Sequence, residues 1–113
     1  MHGFAILALA AATLAGCGTI HGNFVSDPVA STAFRANTTK QNMLDLRQPA
    51  KRTPVRNGTS ECFDYELDRM GRRTDFYVGF TASGKVNAAG YANCAAAIAA
   101  GHLDSDAPAK QIY

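Results

Sequence analysis

The sequence lacks an apolar run long enough to cross a membrane. The apolar, alanine-rich stretch from Gly3 to Ala15 has roughly half of the ~20 residues that a membrane-spanning helix needs. An excess of one charge sign is also missing, because 11 basic and 9 acidic side chains leave a net charge of only +2. So small a positive charge argues against nucleic acid as the main partner. At 113 residues, the chain has room for one small domain.

Groups suited to catalysis are scarce. None of the three histidines, His2, His21 and His102, has a plausible partner Ser or Cys, and no two have metal-ligand spacing. Asp64, Glu66 and Asp68 alternate along one segment, but nearby arginines favour a solvated sheet face over a carboxylate pair for acid–base work. We therefore predict that the protein is not an enzyme and has no catalytic residue, no metal site and no dissociable cofactor.

The apolar stretch ends in Leu14-Ala15-Gly16-Cys17, which has the form of a lipobox. Small uncharged residues flank the cleavage point, and Cys17 supplies the thiol that would carry diacylglycerol and then an N-acyl chain. We predict a signal peptide over 1–16, a lipid-anchored tether over 17–23, a folded domain over 24–100 and a flexible tail over 101–113. Almost no basic residue precedes the apolar stretch, so either the start codon lies upstream or the signal is atypical. The alternative to a signal peptide is a buried alanine-rich helix that ends by chance in Leu-Ala-Gly-Cys.

Lipidation of Cys17 leaves Cys62 and Cys94, and an even pair in an oxidising compartment predicts a disulfide. Closing a loop of about 30 residues stabilises the fold by roughly 3 to 4 kcal/mol in the chain-entropy model. An intermolecular bridge or two free thiols are the alternatives.

Two helix starts precede any strand pattern. Ser26-Asp27-Pro28 offers a capping carboxylate and a proline suited to the first helical position. Asn37-Thr38-Thr39 offers a second start, and Pro49 ends that helix because the residue before proline disfavours the α region.

After Pro49 the apolar period changes from 3.6 to 2. The predicted strands are Arg52–Arg56, Glu61–Leu67, Asp75–Thr81 and Val86–Tyr91. Pro54 restricts the first to an edge, and Asn57-Gly58 predicts a type I′ hairpin turn after it. A short helix over 92–100, ending at Gly101, completes the pattern.

The predicted fold is therefore α+β, with two short N-terminal helices packed on one face of a three- to four-stranded antiparallel meander. In such a meander Cys62 and Cys94 tend towards opposite ends of the sheet. A disulfide needs Cα atoms within about 7 Å. It therefore requires that the chain fold back after Tyr91, or that the first half of the second strand be short.

The order of these features resembles the SmpA/OmlA family of small outer-membrane lipoproteins, and most closely its osmotically inducible lipoprotein E branch. The motifs that carry the resemblance are Cys62-Phe63-Asp64-Tyr65, Tyr77-Val78-Gly79-Phe80, Gly84-Lys85-Val86 and Gly90-Tyr91-Ala92-Asn93-Cys94. The chain departs from the family where a glycine is usual, having Asn37 at the second helix start and Arg47 at its end. Arg47 suits a left-handed backbone poorly.

The resemblance implies an outer-membrane lipoprotein facing the periplasm that acts as a non-enzymatic binding or structural module under osmotic stress. Gly18 after the lipidated cysteine fits release to the outer membrane. Two other functions stay open, namely an accessory subunit of β-barrel assembly and a periplasmic enzyme inhibitor.

Candidate contacts with the membrane, with anionic lipid or with other envelope proteins fall into two sets. Phe24 and Val25 would lie next to the lipid anchor, although Phe24 packing against the first helix is an equal alternative. Arg47, Lys51, Arg52 and Arg56 form a basic run along the edge strand, and Arg69, Arg72 and Arg73 crowd one turn. Charge that discourages sheet extension at an edge is the simpler explanation of the first run.

Overall fold

The computed structural model describes residues 26–108, and its elements follow the predicted order. They are α1 (Pro28–Ala33), α2 (Lys40–Leu46), β1 (Lys51–Val55), β2 (Ser60–Arg69), β3 (Arg72–Phe80), β4 (Val86–Gly90) and α3 (Cys94–Ala99). The strands form one antiparallel sheet in the order β1-β2-β3-β4, which confirms the predicted α+β meander. Within this described part, no helix is both long and apolar enough to cross a bilayer.

Side-chain caps begin both N-terminal helices where the sequence predicts them. Asp27 Oδ1 accepts a hydrogen bond from the Val29 N–H at 2.8 Å, and Pro28 occupies the first turn. Thr39 caps α2 in a reciprocal capping box with Asn42. Asn37 has a φ of 65° and so takes the left-handed conformation that glycine usually supplies.

The residue that ends α2 does not take a left-handed conformation. Arg47 has φ −163° and ψ 139°, an extended backbone that any residue adopts. Arg47 therefore carries no left-handed strain, and the helix ends in an extended segment before Pro49.

The hairpin turns correct one prediction. Asn57 and Gly58 do have positive φ, but they lie in a four-residue loop in which Arg56 is also left-handed, with φ 48°. The two-residue hairpin turn is instead Met70-Gly71, with φ 54° and 78°, joining the paired residues Arg69 and Arg72. Asn-Gly is the stronger local signal for a two-residue turn. The two-residue turn nevertheless lies at Met70-Gly71, because β2 and β3 remain paired as far as Arg69 and Arg72.

One face of the sheet carries the main hydrophobic core. Alternate residues of β2 and β3 point towards α1 and α2, as predicted. The buried members of this cluster are Phe63, Tyr65, Leu67, Phe76, Val78 and Phe80 from these two strands, Val86 and Ala89 from β4, and Val29, Ala30, Ala33 and Met43 from the helices. The Phe63 and Phe80 rings lie 4.7 Å apart between centroids.

α3 covers the opposite face of the sheet. The sequence predicted this helix after the last strand but did not predict the face on which it packs. Its Cys94 and Ala97 pack with Val55, Cys62 and Tyr77 in a second buried cluster. The chain therefore folds back after Gly90, one of the two routes by which a meander permits a bridge. Cys62 and Cys94 form a disulfide with their Cα atoms 5.9 Å apart.

The segment after Gly101 also differs from the prediction of a flexible tail. Gly101 ends α3 in the left-handed conformation, as expected, but the described part of the tail, 101–108, then packs on the sheet. Leu103 is 2% exposed and lies against Gly79, where a β-carbon would collide with it. Asn87 Nδ2 also donates to the Ser105 carbonyl at 2.7 Å. The folded domain therefore extends beyond residue 100.

Candidate functional site

The predicted lipid site and the contacts nearest to it, namely Cys17, Phe24 and Val25, lie outside the described residues. The lipidation of Cys17 and the contact roles of Phe24 and Val25 therefore stay predictions. The structure locates the remaining candidates and shows which of them share a surface.

Arg47 and Lys51 lie at the end of the sheet from which the β2–β3 hairpin projects. The Arg47 guanidinium lies 3.8 Å from Asp27 Oδ1, and the Arg47 carbonyl accepts a hydrogen bond from the Tyr65 hydroxyl at 3.1 Å. Burial raises the pKa of Tyr65 to about 12, so this hydroxyl remains a donor at neutral pH. Lys51 is exposed and pairs across the sheet with Asp64.

Arg52 belongs to a charged cluster on the helix side of the sheet. Its guanidinium donates to both Glu61 carboxylate oxygens at 2.8 and 2.7 Å and lies 4.9 Å from the centre of the Phe63 ring. Lys40 Nζ reaches the same carboxylate at 3.1 Å. The Arg52 hydrogen bonds, helped by Lys40, lower the pKa of Glu61 to about 2. Through Glu61 these contacts connect Lys40 of α2 to Arg52 of the edge strand, and the Arg52 guanidinium is bonded within the domain.

Arg56 lies at the other end of β1 and holds the C-terminal segment in place. Its guanidinium donates to the carbonyls of Phe80 at 2.6 Å and Leu103 at 2.7 Å, and to Asp106 Oδ1 at 3.0 Å. Only 14% of its side chain is exposed. The predicted basic run is therefore not one patch, because Arg52 and Arg56 are both engaged within the domain.

The second basic group lies at the tip of the β2–β3 hairpin, which extends beyond its neighbours. The last pairs that β1 and β4 make towards this end are Lys51–Asp64 and Tyr77–Gly90, whereas β2 and β3 pair as far as Arg69–Arg72. All residues from 68 to 73 are exposed, and Met70 at the turn is 86% exposed. Arg73 lies 3.5 Å from Glu66.

The alternating carboxylates have different partners. Asp64 Oδ1 accepts the Cys94 N–H at 2.8 Å, so this side chain fixes the start of α3, while Glu66 faces Arg73 and Asp68 is exposed. Residues 26–108 contain no cluster of three or more His, Cys, Asp or Glu side chains placed to hold a metal. Of the histidines, His102 is described, and it stacks on Tyr77 with ring centroids 6.5 Å apart.

A cleft of about 550 Å³ opens between α3 and the strands β1, β2 and β3, on the disulfide face. Its charged groups are Lys51 and the carboxylates Asp64, Glu66 and Asp75, and Ile98 forms part of its apolar wall. Carboxylates therefore outnumber basic groups in this cleft.

Sequence reasoning missed two parts of this arrangement. The Lys40–Glu61 contact joins residues 21 positions apart on different elements and has no local signal. The start of α3 did have a local signal in the sequence. Asn93 caps the helix, because its side chain accepts a hydrogen bond from the Ala96 N–H at 2.8 Å. Asn followed by an alanine-rich run is the pattern that would have located this helix start.

Comparisons with known proteins give one informative likeness. No family model and no curated protein sequence matches the chain. A solved structure described as an osmotically inducible lipoprotein, OsmE, is similar over 68% of this chain and 88% of that chain, with 24% identity and a TM-score of 0.61. At this identity the likeness establishes a shared fold.

Proposed function

We propose that the protein is an outer-membrane lipoprotein that acts, without catalysis, as a binding or structural module of the envelope under osmotic stress. Lipid on Cys17 anchors it on the periplasmic side. The observation that carries the proposal is the fold shared with a protein described as an osmotically inducible lipoprotein.

Two features of the chain support the proposal independently of that likeness. Leu14 to Cys17 has the form of a lipobox, and the apolar stretch before it has the length of a signal-peptide core. The Cys62–Cys94 disulfide is typical of proteins in oxidising compartments such as the periplasm. Anchor and disulfide thus point to the same side of the inner membrane.

Intact mass spectrometry of the membrane-extracted protein tests the anchor. We expect loss of residues 1–16, addition of three acyl chains at Cys17, and a gain of two hydrogens on reduction of the disulfide. Cys17→Ser is the matched control and should remain unprocessed and without lipid. An unmodified mass for the wild-type chain would overturn the anchor.

A deletion strain tests the role in osmotic stress. We expect the strain to show greater entry of a large antibiotic after an osmotic upshift, and the wild-type gene to restore the barrier. Cys17→Ser should fail to restore it at equal protein level, because the domain is no longer held at the outer membrane. Equal permeability of deletion and parent strains would contradict the proposed role.

A further inference from the structure

The tip of the β2–β3 hairpin, residues 68–73, concentrates the positive charge of the protein. It contains one aspartate and three arginines, a net charge of +2, which equals the net charge of the whole chain. At its apex Met70 is 86% exposed, the largest exposure among the large apolar side chains of the described residues. An exposed apolar side chain ringed by arginines suits the boundary between headgroups and acyl chains.

The arrangement of the arginines at the tip lowers the stability of the hairpin. Arg69 and Arg72 are direct cross-strand partners, and like charges in this position destabilise an antiparallel pair. Neither forms an ion pair within residues 26–108. The nearby acidic groups Glu66, Asp68 and Asp75 alternate onto the other face of the hairpin. One side of the tip is therefore basic and has no internal counter-charge.

The chain enters the domain at this same end of the sheet. Asp27 lies 3.8 Å from Arg47, whose carbonyl is bonded to Tyr65 near the base of the hairpin. The opposite end carries the loop at residues 81–85, where Thr39 pairs with Lys85 and the Val86 N–H donates to the Thr38 carbonyl at 2.9 Å. Leu46, a second exposed apolar side chain at 41%, is the last residue of α2 and precedes Arg47.

The lengths of chain allow the tip to reach a bilayer. Eight residues lie between Cys17 and Ser26, and the nine steps from one Cα to the next span at most about 30 Å when extended. Five residues from Tyr65 to Met70 advance the hairpin by about 17 Å. A domain tethered at Cys17 therefore presents the tip to the same surface that holds the lipid.

The geometry points to a membrane-docking site at this tip, with an anionic bilayer surface as its partner. Met70 enters the headgroup boundary while Arg69 and Arg72 bind lipid phosphates, which supply the missing counter-charge. The inference rests on the proposed lipid anchor and goes beyond it, because it fixes the orientation of the domain on the membrane.

Tryptophan fluorescence tests the docking, since the chain has no tryptophan of its own. The full chain, purified in the form that mass spectrometry identifies, carries either Met70→Trp or, as a control at the opposite end, Ala82→Trp, an exposed site. Each is incorporated into vesicles of phosphatidylcholine with or without phosphatidylglycerol, and with brominated acyl chains as quenchers. We expect a blue shift and quenching for Met70→Trp in anionic vesicles and neither for Ala82→Trp.

Charge variants in the Met70→Trp background separate docking from simple proximity. Arg69→Gln with Arg72→Gln should lower the ratio of docked to undocked domain by roughly fivefold for each arginine. Arg35→Gln with Lys85→Gln removes the same charge from exposed positions elsewhere and should leave the ratio unchanged.

The outcomes distinguish the two proposals. An unquenched tryptophan at position 70 on a protein with acylated Cys17 overturns the docking and leaves the anchor intact. Quenching on a protein whose Cys17 carries no lipid contradicts the proposed anchor and supports the docking. Equal quenching in zwitterionic and anionic vesicles, or an equal loss with the Arg35 and Lys85 variants, also overturns the inference. Protection of position 70 only on adding a protein partner would assign the tip to a protein interface instead.

Discussion

The two faces of the sheet are stabilised by different physical means. The face under α1 and α2 buries large aromatic side chains such as Phe63, Phe76 and Phe80, all fully inaccessible. The face under α3 buries half as many side chains, namely Val55, Cys62, Cys94, Ala97 and Leu103 with the single aromatic Tyr77, and is closed by a disulfide. Apolar area stabilises the first face, whereas the second has too little of it and depends on a cross-link.

The difference also explains how hydrogen bonds are distributed. On the disulfide face Asp64 holds the start of α3, and at its margin Arg56 holds the C-terminal segment through two backbone carbonyls. We call the face under α1 and α2 the helix face. There, the charged cluster around Glu61 lies at the edge of the aromatic core. We infer that polar contacts on the second face replace packing, while those on the first add to it.

The largest loss of stability is expected for a substitution in the core of the helix face. Phe76→Ala removes a fully buried ring that contacts Phe34 and Tyr91 at centroid distances of 5.5 and 5.2 Å. We expect a loss of about 3 to 5 kcal/mol in the free energy of unfolding, measured by urea denaturation. Ile98→Ala, at a 39% exposed position on the other face, should change it by less than about 1 kcal/mol. Equal losses would mean that the two faces are packed alike.

Removing the cross-link tests the second face. Cys62→Ala with Cys94→Ala should lower the free energy of unfolding by about 3 to 4 kcal/mol, because the unfolded chain regains its loop entropy. Hydrogen exchange should become fast in α3 while β2 and β3 remain protected. Uniformly faster exchange across both faces would show that α3 is held by packing after all.

A smaller effect is expected where the C-terminal segment joins the sheet. Arg56→Gln removes the guanidinium that donates hydrogen bonds to the Phe80 and Leu103 carbonyls and to Asp106 Oδ1. The free energy of unfolding should fall by about 1 to 3 kcal/mol. Exchange should rise mainly in residues 101–108. Lys51→Gln, an exposed basic residue of the same strand, should change stability by no more than about 0.5 kcal/mol. A similar loss for both variants would refute the anchoring role of Arg56.

The smallest effect belongs to the charged cluster of the helix face. Glu61→Gln should cost about 1 kcal/mol at pH 7, since the side chain is partly exposed. The pKa of Glu61 is lowered to about 2, so its contribution is complete above the unfolded pKa of 4.5 and is lost as the pH falls towards 2. The stability difference between wild type and variant should therefore shrink over that range. Glu66→Gln removes a carboxylate whose ion pair with Arg73 is more exposed, and should change the free energy of unfolding at pH 7 by no more than about 0.5 kcal/mol.

Much of the helix face could be predicted from sequence because its signals are local. Asp27 and Thr39 cap helices through bonds to residues two or three positions away, and the apolar alternation of Phe76, Val78 and Phe80 assigns a buried face directly. The alternation that assigns Glu61 to the same face does not reveal its pairing with Lys40, because that contact depends on how α2 crosses the sheet.

The candidate contacts show the same division. The sequence analysis grouped Arg47, Lys51, Arg52 and Arg56 as one run, whereas the structure engages Arg52 and Arg56 within the domain. It identified the arginines of the hairpin as a group, and the paired register of Arg69 and Arg72 is what makes them a surface without counter-charge.

By itself, the sequence determined the order of elements, the helix caps, the edge position of the proline-containing strand and the aromatic face of the meander. Each rests on interactions between neighbours in the chain or on a repeating period. Tertiary structure alone decided that α3 folds back to bring Cys94 to Cys62, that 101–108 packs on the sheet, and that chain entry and arginine tip share one end. Those features depend on contacts between distant segments, whose free energy exists only once the sheet has formed.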